Sequence, residues 1–129
     1  ELSRIMLAIK TLIADKDDTE TLIFYDFDTG ISGRTAQKVA EKMSAIGRSR
    51  QVLCITHLPQ IASQANAHYL IEKNVENMET STSIRALSYT ESVEELARML
   101  GGVKITQAVL ENAAEMKDLA QQQKNTRVK

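Results

Sequence analysis

The 129 residues include one cysteine, one proline and no tryptophan. With Cys54 alone no internal disulfide can form, which fits a reducing cytoplasm. No apolar run approaches the roughly 18–20 residues of a membrane span. A signal-peptide pattern is also missing at the start. The formal net charge is −1, so composition gives no argument for a nucleic-acid-binding surface. The five glycines, at 30, 33, 47, 101 and 102, cannot supply Gly-x-x-x-x-Gly-Lys-Ser/Thr. Any phosphate-cradling loop that serves this chain must therefore come from outside it.

Apolar residues make up 43% and charged residues 26%, the balance of a globular chain. The length suits one domain or part of one. Leu2, Ile5, Met6, Ile9, Leu12 and Ile13 recur at helical spacing, and Leu7 and Ala8 extend the apolar surface round that helix. The chain thus begins inside an apparent helix, and a longer parent chain is expected. Thr21 to Tyr25 is a continuous β-favouring run, read as a strand covered on both faces. Ala36, Val39, Ala40, Met43 and Ile46 mark an amphipathic helix stopped at Gly47. Gln51 to Thr56 reads as a second buried strand. Pro59 suits the first turn of a short helix to about Gln64. His68–Lys73 and Ser83–Tyr89 read as strands, with a loop or wide hairpin over Asn74–Thr82. Ser92-Val93-Glu94-Glu95 resembles a capping box, opening a helix that stops at Gly101-Gly102. A last helix is expected from Thr106 to about Gln123, and a frayed end over 125–129.

Helices alternating with buried strands argue for an α/β fold, in which chemistry gathers at the C-terminal ends of the strands. Two polar clusters fall at such ends. Asp26 and Asp28 follow the first strand. Hard cations such as Mg²⁺ take oxygen ligands, usually one or two carboxylates with substrate phosphates, so this pair is a candidate metal or general-base site. The plainer alternative is two solvated loop acids or caps for the following helix. His57 follows the second strand and could orient a phosphate or a water, or be a hydrogen-bonded loop residue. His68 lacks an acidic or cysteine partner at metal spacing and reads as structural. Cys54 lies inside a strand and reads as a buried, inert thiol.

Three stretches together carry a family resemblance. Glu1-Leu2-Ser3-Arg4 and the helix after it look like the signature segment L-S-G-G-E-L-S-R, starting at its glutamate. Phe27-Asp28-Thr29-Gly30-Ile31-Ser32-Gly33 resembles a Walker B tail and D-loop of the form D-E-x-D-T-G-I-S-G. Ile55-Thr56-His57-Leu58-Pro59-Gln60-Ile61-Ala62 resembles a switch-histidine segment. With Ala97-Arg98-Met99-Leu100-Gly101-Gly102, these resemble the RecN family, ABC-type ATPases related to the SMC proteins. The resemblance covers nearly the whole chain. It implies the C-terminal lobe of an ABC/SMC-type P-loop NTPase head: a parallel-strand core with flanking helices and a small strand pair, the N-terminal Walker A lobe absent. Residues 1–129 would be a single partial domain.

In this class ATP is sandwiched between two heads, so the resemblance implies ATP and Mg²⁺ as cofactors. It implies a second head or a homodimer as partner, DNA bound through the intact protein, and no membrane. His57 would contact the γ-phosphate. Ser32 would lie near the dimer seam. Ser3 and Arg4 would start the signature helix, whose N-terminus faces the partner's nucleotide. The implied role is DNA double-strand-break repair and recombination, in the cytoplasm at the nucleoid. Without a phosphate loop the chain alone is expected to be inactive.

One departure touches the catalytic acids. The family's Asp-Glu pair falls on Tyr25-Asp26, so Asp26 stands where the water-polarising glutamate would be and Asp28 matches the later aspartate. A phenol is neutral at pH 7 and does not replace a carboxylate beside Mg²⁺. Impaired hydrolysis with partly retained ATP binding is the expectation. Two alternatives remain. Phe24 to Gly30 resembles the first motif of HAD-type phosphatases, with Asp26 as nucleophile and Asp28 as acid/base, but Thr29 is one place early and the later acidic pair is missing. The other is a non-catalytic scaffold that self-associates through the apolar surface a half-head would expose.

Overall fold

The computed structural model describes residues 8, 18, 20–25 and 28–126. The order is β1 (Thr21–Phe24), α1 (Gly33–Ile46), β2 (Gln51–Cys54), α2 (Pro59–Ala62), β3 (Tyr69–Glu76), β4 (Glu79–Ala86), α3 (Tyr89–Gly101) and α4 (Gln107–Thr126). The helix expected over 2–13 lies outside the described residues apart from Ala8.

β1 and β2 pair in parallel, from Thr21 opposite Gln51 to Phe24 opposite Cys54. α1 is the crossover between them. Its Ala36, Val39, Ala40, Met43 and Ile46 are all buried, as their spacing requires. With Leu22, Phe24, Ile31 and Ile61 most of these form the first core, and Val52, Cys54 and Leu58 pack against it. The expectation that β1 is covered on both faces is corrected here. Ile23 is 59% exposed and its register partner Leu53 49%. Side chains alternate across a strand, and α1 packs on the Leu22 and Phe24 side. Tyr25 and Ile55 extend the exposed apolar face.

α2 joins two cores. Ile61 belongs to the first, while Ala62 packs with Leu96, Ala97 and Ala113 of the α3–α4 pair. Pro59 opens α2 as its composition suggested. Of the loop or wide hairpin expected over 74–82, the structure shows a tight hairpin. β3 and β4 pair in antiparallel register along their full length, from Tyr69 opposite Ala86 to Glu76 opposite Glu79. Asn77 (φ 50°) and Met78 (φ 66°) form the connection. Two positive φ values give a turn whose twist matches that of the strands, and asparagine tolerates this region well. The hairpin is solvent-exposed, so its polar strands lack the apolar alternation that marks a half-buried strand.

The capping box also lies elsewhere than expected. Ser88 accepts from the Glu91 amide (3.2 Å) while Glu91 accepts from the Ser88 amide (2.8 Å), one turn before Ser92. Ser92 is instead 1% exposed and its Oγ lies 2.7 Å from Nδ1 of His68. Arg85 of β4 bonds Glu91 at 2.7 Å, tying the hairpin to the capped end of α3. Gly102, at φ 65°, ends α3 in the backbone region that favours glycine. α4 runs on through Thr126, beyond the expected end near Gln123.

Two predictions follow from this packing. Burial, and then the Asp28 charge, push the Cys54 thiol up to about 12. Native Cys54 should therefore react with iodoacetamide at pH 8 far more slowly than in urea, by at least about 10²-fold; equal rates would contradict a half-buried, inert thiol. His68 is held below its usual 6.5 by burial, then by the Lys117 charge, with Glu95 opposing. A lowered histidine favours the neutral native form, so its stabilisation is complete above the usual value. It is lost as pH falls, because the unfolded chain takes the proton first. The urea midpoint should drop between pH 7.5 and about 5, and His68→Gln should flatten part of that slope. An unchanged slope in the variant would remove His68 as its source.

Candidate functional site

Parallel pairing places the C-terminal ends of β1 and β2 side by side. Asp28 follows the first and Thr56-His57 the second. The Asp28-Thr29-Gly30-Ile31 segment is a turn, closed by the Ile31 amide on the Asp28 carbonyl at 3.3 Å. Gly30 sits in it at φ 76°, the third turn position, where a positive φ calls for glycine. The turn directs the Asp28 side chain inward, to 3% exposure.

A buried carboxylate needs donors, and the segment after β2 supplies them. The Thr56 hydroxyl donates to Asp28 Oδ2. The His57 amide points at the same oxygen from 3.4 Å, and His57 Nδ1 lies 3.5 Å from it. The Leu58 amide in turn donates to Thr56 Oγ1 at 3.0 Å. One aspartate thus ties the end of β1 to Thr56 and His57, and through Thr56 to Leu58. The His57 side chain remains 73% exposed beside it. The arrangement presents an imidazole to solvent from a backbone fixed by a buried charge.

The other sequence candidates fall as follows. Ser32 is the exposed N-cap of α1, and its side chain makes no capping bond. Tyr25 is 73% exposed. Asp26, Ser3 and Arg4 lie outside the described residues. Among the described residues no cluster of three or more His, Cys, Asp or Glu side chains could hold a metal. Asp28 alone is one carboxylate, with Oδ2 already facing Thr56 and His57, so a cation here would need Asp26 or phosphate oxygens as well. His68 is bonded to Ser92, as described above. Thr56 is the site residue that sequence reasoning missed as a chemical participant. The available signal was a hydroxyl immediately before His57, on the strand next to the one that delivers Asp28.

No protein-family model matches the chain. Curated relatives do match. DNA repair protein RecN of Halalkalibacterium halodurans is 48% identical over 120 residues, 93% of this chain and 21% of that protein. The Bacillus subtilis RecN is 44% identical over 126 residues, 98% of this chain and 22% of the relative. The Haemophilus influenzae RecN is 47% identical over 119 residues, 92% and 21% of the two chains. A solved structure from work on ATP-driven dimerization and DNA-stimulated activation of SMC ATPases aligns with a TM-score of 0.61. It covers 76% of this chain and 58% of its own at 15% identity, a likeness that shows the fold. These findings agree with the α/β reading and do not favour the phosphatase alternative, which would also require the buried, bonded Asp28 to act as a free acid/base. Over nearly its full length the chain is thus similar to a segment of RecN, and it spans 21–22% of the length of these RecN relatives.

Proposed function

We propose that this chain forms part of the ATP-binding and hydrolysing head of a RecN-like protein acting in DNA double-strand-break repair and recombination. The observation that carries the reading is the Asp28–Thr56–His57 cluster at adjacent parallel strand ends, in a chain 44–48% identical to DNA repair proteins named RecN. The phosphate-cradling loop would come from outside the chain, and a single partial domain over 1–129 is part of the proposal.

In this reading Asp28 and Thr56 are positioning residues. They fix the backbone at His57 so that the exposed imidazole meets the γ-phosphate of ATP without a reorganisation cost. Asp26 would orient the attacking water, and Asp26 with Asp28 would be the chain's carboxylates toward Mg²⁺. When bound, Mg²⁺ neutralises phosphate charge. Ser32, at the exposed start of α1, would face the seam with a second head or a homodimer, and Ser3 and Arg4 would approach the nucleotide of that partner. DNA would be held through the intact protein. A cytoplasmic, nucleoid-associated location goes with that role. No helix among the described residues is long and apolar enough to cross a membrane. Tyr25, at the position of the usual Mg²⁺-assisting acid, makes hydrolysis slow while ATP binding is partly retained.

The test joins this chain to a RecN phosphate-loop lobe and compares ATP turnover with Tyr25 and with Tyr25→Asp. Turnover should rise by about 10²-fold or more in the variant, the scale set by misplaced catalytic groups. Equal turnover, or no ATP binding by either protein, would overturn the assignment of Tyr25 and with it the catalytic reading.

A further inference from the structure

A cavity of about 320 Å³ lies between the end of α2 and the starts of β3 and α3, with α4 as its far wall. It shares no lining residue with the Asp28–Thr56–His57 cluster, and it is within the size range of small-ligand pockets. Its lining mixes apolar surface with polar groups, Ser63, His68, Ser92, Lys117 and Asp118 among them. Ser63 and Ser92 are 3% and 1% exposed, so these hydroxyls belong to the interior.

The charges around the cavity are unequal in their engagement. Two carboxylates face this region and both have partners. Asp118 accepts from the Tyr89 hydroxyl at 2.7 Å, and Glu95 is held by Arg98 at 2.6 Å. Lys117 is differently placed. Its ammonium lies 6.0 Å from the Tyr89 ring centroid, at the outer limit of a cation–π contact, and has no salt bridge among the described residues. Two turns along α4, Lys124 donates to the Gln64 carbonyl and to Asn66 Oδ1 at the rim. Burial pushes both lysines down; the Asp118 charge opposes this at Lys117, and the Lys117 charge pushes Lys124 down further. Like charges held together in a partly desolvated place are relieved by an anion.

The His68–Ser92 pair adds a donor whichever way its proton lies. If the Ser92 hydroxyl donates to Nδ1, the neutral ring keeps Nε2–H for a ligand. If Nδ1–H donates to Ser92, the hydroxyl hydrogen is free to turn to a ligand. We propose that this cavity binds a phosphate group, with Lys117 as its charge partner and the His68–Ser92 pair as its hydrogen-bonding floor. A phosphate has three acceptor oxygens for this set of donors, and lysine serves it as a point charge. The site is independent of the ATPase reading.

The test is a nuclear magnetic resonance titration of the 129-residue chain with inorganic phosphate, against sodium chloride at matched ionic strength. Phosphate should give saturable shifts at His68, Ser92 and Lys117 and raise the His68 titration. Lys117→Met should weaken binding about 10- to 100-fold, the range for one charge-assisted hydrogen bond, while Lys117→Arg should retain most of it. Shifts no larger than those with chloride, or equal affinity in Lys117→Met, would overturn the proposal. Displacement by a short single-stranded oligonucleotide would identify a nucleic-acid backbone as the phosphate source, and displacement by glycerol phosphate alone would identify a small molecule. Displacement by neither would overturn a site for phosphate esters.

Discussion

The buried carboxylate of Asp28 is the interaction on which the candidate site depends. Desolvating a charge costs several kcal/mol unless donors replace the lost water. Here the donors all come from the segment after β2, so Asp28 can stay buried only while that segment holds its place. Deprived of these donors, Asp28 would be an unpaired charge at the edge of the first core. The site and the local fold are therefore one constraint. His57 gains a fixed backbone, and the end of β1 gains its link to β2 beyond the ladder.

The layers around it follow from the same economy. α1 covers the Leu22 and Phe24 side of the parallel pair and, as its crossover, sets β1 and β2 side by side. α2 starts at Pro59, two residues past His57, and carries Ile61 into the first core and Ala62 into the second. The segment 56–58 is thus clamped at both ends, by Asp28 before it and by two cores after it. The opposite face, with Ile23, Tyr25, Leu53 and Ile55, stays exposed, and β3–β4 form a separate two-stranded sheet. Isolated two-stranded hairpins are marginal in water. The Arg85–Glu91 bond and the His68–Ser92 contact hold this one to α3.

Much of this was legible in the residues. The 3–4 spacing of Ala36 to Ile46 located α1, because burial against a core leaves a periodic mark, and the runs Thr21–Tyr25 and Gln51–Thr56 located the strands. The ends of the strands pointed to Asp28 and His57. The choice between a loop and a hairpin, and the tight turn itself, were illegible because the strands are exposed and polar; backbone geometry at Asn77 and Met78 reveals them. The cap was misplaced because Ser88-x-x-Glu91 and Ser92-x-x-Glu95 carry the same pattern, and burial of Ser92 against His68 decides between them. The role of Thr56 depends on which oxygen its hydroxyl meets, a contact across 28 residues that no local pattern encodes.

The central claim is that Asp28 positions the segment carrying His57, and amide hydrogen exchange in Asp28→Ala tests it most directly. Exchange at His57 and Leu58 should accelerate at least about tenfold, the loss of one buried hydrogen-bonding partner. Protection in α1 and in the α3–α4 pair should be retained. Unchanged exchange at His57 and Leu58, with the rest of the fold intact, would contradict the account.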